Sequence, residues 1–100
     1  MIRTPAVQTM ADLEQRRRTV RVLELLTESF EAHRRGDDGA FRRALDEAME
    51  LDLPAYDGIR GGIMIGEVPD PGRDWPAWVE YVSANREALA AAEAEEGSGG

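Results

Sequence analysis

Two helix-forming runs separated only by Gly36-Asp37 constrain this chain more than any other feature. The first run spans about Met10 to Arg35. Its apolar residues Leu13, Val20, Leu23, Leu26 and Phe30 recur at helical spacing. Thr9 is placed to cap it, with Asp12 three residues on. Asp12–Arg16 and Glu14–Arg18 are spaced as i,i+4 pairs in the favourable order. His33, Arg34 and Arg35 put cations in the last turn, where the helix dipole favours them. Gly36 follows as the residue that stops the helix. The second run, about Asp38 to Leu51, carries Phe41, Ala44, Leu45, Ala48 and Met49 on one face and Arg42–Asp46 and Arg43–Glu47 on the other. So short a link forces the two helices into an antiparallel hairpin.

The first helix has more apolar surface than one neighbour can cover. Val22 and Leu25 lie beside the main stripe and widen it. The residues Val22, Leu23, Leu25, Leu26 and Phe30 are therefore the candidate self-association surface, and a C2 homodimer is the expected assembly.

Residues 52–74, DLPAYDGIRGGIMIGEVPDPGRD, read as an irregular connection. They hold five of the ten glycines and three of the five prolines. Ile63, Met64 and Ile65 with Val68 have the composition of one short strand, of a buried loop or of a helical turn. Pro69-Asp70-Pro71-Gly72 is a turn signal. A last amphipathic helix begins at Asp74 as N-cap, with Trp75-Pro76 in its first turn. Its apolar positions are Trp75, Trp78, Val79, Val82 and Leu89, flanked by Tyr81. The expected fold is all-α: a helical hairpin plus a third amphipathic helix, joined by the Gly/Pro-rich segment. The expected organisation is a flexible N-terminus over residues 1–9, one helical domain over 10–90, and an Ala/Glu- and Gly/Ser-rich flexible tail over 91–100.

Composition narrows the chemistry. The chain of 100 residues has no Cys, its twelve basic residues are all Arg, and it has one His. A thiolate nucleophile, a disulfide framework, Cys-ligated zinc, a Schiff-base lysine and a P-loop lysine are all excluded. The lone His33 leaves no His-rich metal site. No metal or other cofactor is expected. Ser29, one turn from His33, is the nearest hydroxyl for a nucleophile–base pair, and neighbours on one helix seldom give the geometry. The glycines between Gly58 and Gly66 lack the strand and lysine of a phosphate cradle and read as close backbone packing. Glu67, Asp70 and Asp74 match no calcium loop, and turn and cap roles suit the two aspartates better.

The net charge of −8 is unevenly spread. Residues 1–43 carry +2 and residues 44–100 carry −10. Arg16, Arg17, Arg18 and Arg21, with Arg34, Arg35, Arg42 and Arg43, give the first half a basic character. The global charge still disfavours nucleic acid as the partner. No apolar run is long enough for a membrane span, and the start has no secretory h-region. A cytoplasmic protein from a GC-rich bacterial gene fits this composition.

Two local resemblances can be drawn. Gly36–Asp52 resembles the second half of a tetratricopeptide repeat: Gly36-Asp37 opens it, Ala48 holds the small late position and Glu50-Leu51-Asp52 closes it. Phe41 stands where that repeat has Ala and Leu53 where it has Pro, and no second repeat follows. Leu25–Phe41 resembles the opening helices of the ketosteroid-isomerase-like cone fold, which implies several curved strands around a ligand pocket. At most one strand is legible after residue 53.

The expected function is a non-enzymatic protein–protein interaction protein, such as an accessory subunit or self-associating adaptor. The alternatives are a small subunit lending a loop to a larger enzyme and, with less support, a nucleic-acid-associated regulator using the Arg-bearing half. The candidate partner-binding residues are Tyr56, Ile59, Ile63, Met64, Ile65, Val68, Trp75 and Trp78. They sit on the one long connection, and such segments on a rigid scaffold concentrate binding residues.

Overall fold

The computed structural model describes residues 5–98, with side chains described over residues 13–95. Four helices follow in order: α1 Pro5–Arg35, α2 Asp38–Leu51, α3 Leu53–Met64 and α4 Trp75–Ser98. α1 sets the long axis of an elongated body measuring 52 × 26 × 25 Å. The other three helices pack around it or against its neighbours.

The link after α1 is closed by backbone hydrogen bonds. Asp37 N–H donates to the Ala32 carbonyl at 2.9 Å and Gly36 N–H to the His33 carbonyl at 3.0 Å. This doubled bond needs a left-handed residue at Gly36, whose φ is +79°. Asp37 then caps α2, its side chain accepting from Ala40 N–H at 3.0 Å. α1 and α2 run antiparallel, with Arg18 and Arg21 reaching Asp52 and Glu47 at the far end of α2.

The segment expected to be irregular is half helix. α3 occupies Leu53–Met64, and no strand is present among the described residues. Ile63 and Met64 form the last turn of α3 and Ile65 caps it. Nor is there any sheet of the kind the cone-fold likeness implies. The physical reason lies at the ends of α3. Asp52 caps the start, accepting from Ala55 N–H at 3.1 Å, and Pro54 sits in the first turn, where no N–H is needed. At the other end Glu67 N–H donates to Gly62 O at 2.9 Å and Gly66 N–H to Ile63 O at 3.3 Å, with Gly66 at φ +82°. α3 thus ends as α1 does. Between these caps Tyr56, Ile59 and Gly62 are buried along one inner face, with Ile63 packed beside them.

Gly62 has a packing reason. A Cβ there would stand 2.5 Å from Val68 Cγ2. The chain leaving α3 folds back so closely that Val68 rests on the helix backbone. The turn through Asp70 carries it on to α4: Asp70 Oδ1 accepts from Gly72 N–H at 2.8 Å, and Asp74 caps α4 by accepting from Ala77 N–H at 3.1 Å.

The core is one cluster shared by all four helices. It comprises Val22, Leu23, Leu25 and Leu26 of α1, Ala48 of α2, Tyr56 and Ile59 of α3, and Trp78 and Val82 of α4. Phe30, Leu45, Met49, Val68 and Trp75 pack against it. The wide apolar arc of α1 is therefore covered by the chain itself. Val22, Leu23, Leu25 and Leu26 are at most 2% exposed. They do not form a surface for a second copy, because α2, α3 and α4 together supply the neighbours that one hairpin partner could not.

α1 starts at Pro5, ahead of the expected start near Met10, and α4 runs to Ser98, past the expected end near residue 90. Of the expected flexible ends, residues 1–4 and 99–100 lie outside the described residues. Among the described residues, no helix is long and apolar enough to cross a membrane.

Candidate interaction surface

The site is built on Asp52, where three helices meet. Asp52 ends α2, its N–H donating to Ala48 O at 3.2 Å, and it starts α3 through Ala55. Its second oxygen accepts from Gln15 Nε2 at 3.1 Å and Arg18 Nε at 3.3 Å, both on α1. The side chain is 10% exposed. These donors hold the Asp52 carboxyl below its ordinary value of 3.8: Ala55 N–H first, then the Gln15 amide, with burial opposing and Arg18 adding its hydrogen bond and charge. The carboxylate fixes the angle at which α3 leaves the hairpin.

That angle opens a groove of about 820 Å³ beside α3. Its floor includes Ala55, Ile59 and Val68, with Tyr81 of α4, and its polar end is Gln15, Arg18 and Asp52. Its rim carries Leu51, 40% exposed, and Leu53, 49% exposed. Beyond the exposed Asp57 and Arg60, the C-terminal end of α3 presents a second apolar patch, where Met64 is 86% and Ile65 70% exposed. Gly58 and Gly61 leave helix backbone uncovered there: nothing lies within 4 Å of where their Cβ atoms would be.

The eight candidate partner-binding residues do not form one surface. Trp78 is fully buried, Tyr56 and Ile59 are 7% exposed, and all three belong to the core cluster. Ile63, Val68 and Trp75 pack against that cluster. Only Met64 and Ile65 stand out from the body. Sequence reasoning missed Leu51 and Leu53, which it left in the closing turn of α2 and the connection after it. Their signal was a helix cap between two leucines.

The remaining chemistry-bearing groups are spent on structure. Ser29 Oγ donates to the Leu26 carbonyl of its own helix at 2.7 Å, so it makes no pair with His33. The His33 ring is tilted against Phe41, centroids 5.3 Å apart. Among the described residues, no group of three or more His, Cys, Asp or Glu is placed to hold a metal ion. Three arginines of α1 bind acids beyond their own helix: Arg17 reaches Glu93 at 2.7 Å, Arg18 reaches Asp52 and Arg21 reaches Glu47 at 3.6 Å. Arg86 of α4 returns to Glu24 of α1 at 3.0 Å. Opposite charges thus meet across the helix interfaces. Arg34 lies over Trp75, 5.0 Å from the ring centroid.

No family model, curated protein or solved structure matches the chain.

Proposed function

We propose that this chain is a protein–protein interaction protein whose working surface is the outer side of α3 and the groove beside it. The carrying observation is the exposure of Leu53, Met64 and Ile65 on a short helix whose inner face is already used in the core. Single exposed apolar residues are ordinary on protein surfaces. Four on one short stretch, counting Leu51, together with bare helix backbone at Gly58 and Gly61, make a surface suited to another chain. The groove is open and shallow in chemistry: it has no nucleophile–base pair and no cluster of acids, which supports binding over catalysis.

A photoreactive residue in place of Met64, irradiated in living cells, tests this. The same group in place of the exposed Glu87 on α4 is the control. Cross-links to a protein chain, either another copy or a foreign one, are expected from position 64 and not from position 87. Absence of any cross-link from position 64 overturns the proposal.

A further inference from the structure

We infer that the occupant of the outer face of α3 is a second copy of this chain, its own α3 lying antiparallel across the first. The inference rests on the interaction reading above and names the partner. In a two-fold antiparallel pair, residues equally far on either side of the centre face one another. α3 is chemically symmetric in that sense about the midpoint between Gly58 and Ile59. Leu53 at one end lies opposite Met64 of the second copy. The reverse contact repeats at the other end. Between these apolar ends stand Asp57 and Arg60, each facing the other residue type in the second copy.

The charges support this occupant over a foreign one. Asp57 is exposed and makes no ion pair among the described residues. Arg60 pairs with no carboxylate there either. Its guanidinium lies 5.5 Å from the centroid of the Tyr56 ring and donates one N–H to the Tyr56 hydroxyl. An acid and a base on this one small face are thus both open to a partner. An antiparallel pair satisfies both twice over. Two helices come close only where side chains near the centre are small, and Gly58 and Gly61 lie near it with nothing within 4 Å of where their Cβ atoms would be.

Light scattering at high micromolar concentration is expected to give a dimer for the wild type and a monomer for Met64→Glu/Ile65→Glu. Both residues are exposed, so the double variant is expected to keep its helical circular dichroism and thermal midpoint. Asp57→Arg and Arg60→Asp are each expected to weaken dimerisation about tenfold, through like charges brought together twice near the centre of the contact. Mixing these two variants restores opposite charges at both positions and is expected to recover association. Because the chain has no cysteine, introduced ones report the register. A mixture of Leu53→Cys and Met64→Cys copies is expected to cross-link to each other, and Leu53→Cys copies not among themselves. A wild-type monomer, or a dimer indifferent to all these substitutions, overturns the second copy as occupant. If that monomer still cross-links to a foreign chain through position 64, the broader interaction reading survives and only the identity of the partner falls. If position 64 cross-links to nothing, both fall.

Discussion

The indole N–H of Trp78 on α4 donates to the Thr27 hydroxyl on α1 at 3.0 Å, across 51 residues of sequence. Thr27 passes the bond on, its hydroxyl donating to the Leu23 carbonyl at 2.8 Å. Trp78 is fully buried, so its one polar atom has no access to water. Around it stand Phe30, edge-on at a centroid distance of 6.2 Å, and Tyr81 at 6.1 Å. This chain of two hydrogen bonds sets the register of α4 along α1. The ion pairs Arg17–Glu93 and Arg86–Glu24 then follow in antiparallel order along the same interface.

Thr27→Val removes the acceptor and keeps the shape. A buried indole N–H left without a partner costs about 1–3 kcal/mol. Urea unfolding of the variant is expected to show a loss in that range. A loss under about 0.5 kcal/mol, the level of an ordinary surface change, would mean that the bond does not hold α4 in register.

The helical glycines divide into two kinds, and stability measurements can separate them. Gly62→Ala drives a Cβ against the Val68 side chain, and Val68 is held by its own N–H bond to Gly62 O at 3.1 Å. Overpacking of that sort costs about 1–3 kcal/mol. Gly58→Ala meets nothing within 4 Å and gains helix propensity, so it is expected to stabilise the fold by about 0.5–1 kcal/mol. Thermal melts of the two variants should move in opposite directions.

These glycines also explain what the sequence concealed. The caps at Gly36 and Asp74 were legible because each stood next to a run with clear helical spacing. α3 was not legible because Gly58, Gly61 and Gly62 read as breakers, and because Pro54 and Pro69 bracket the stretch. Its true signals were local: Asp52 as cap, Pro54 in the first turn, Tyr56, Ile59 and Ile63 at helical spacing, and Gly66 at the stop. The wide arc of α1 was read correctly as needing several neighbours. Without α3 in view the count of neighbours fell short, and a second copy was put where Tyr56 and Ile59 belong. The interaction surface was hidden for the same reason. Exposure of Leu53 and Met64 follows only once the inner face of α3 is known to be filled by Tyr56 and Ile59.

Asp52 gives the fold an acid-sensitive joint. Its folded-state pKa is lowered, first by the Ala55 N–H, so its contribution to stability is complete above the unfolded value of about 3.9 and is lost as pH falls through the lower folded value. Asp52→Asn keeps a good helix cap but removes the charge that Arg18 and Gln15 bind. The stability gap between wild type and Asp52→Asn is expected to be widest above about pH 5 and to close as pH falls below the usual carboxylate range. A gap of constant size through acid would assign the loss to shape rather than charge. Asp52→Ala removes the cap as well and is expected to cost about 1 kcal/mol more at neutral pH.

Ile63 and Met64 are adjacent in sequence and opposite in consequence. Ile63 packs against the core cluster, whereas Met64 is 86% exposed. A carboxylate at position 63 would be drawn into the apolar setting of the core cluster. Ile63→Asp is therefore expected to cost several kcal/mol, a large share of the stability of a domain this small. Its circular dichroism should melt well below the wild type. Met64→Asp adds a charge in water and is expected to leave the melt within about 0.5 kcal/mol of the wild type. The pair of melts thus separates lid from surface within one turn of α3. Equal melts with Ile63→Asp folded would move the inner edge of α3 out of the core, and with it the basis for treating only Leu53, Met64 and Ile65 as open to another chain.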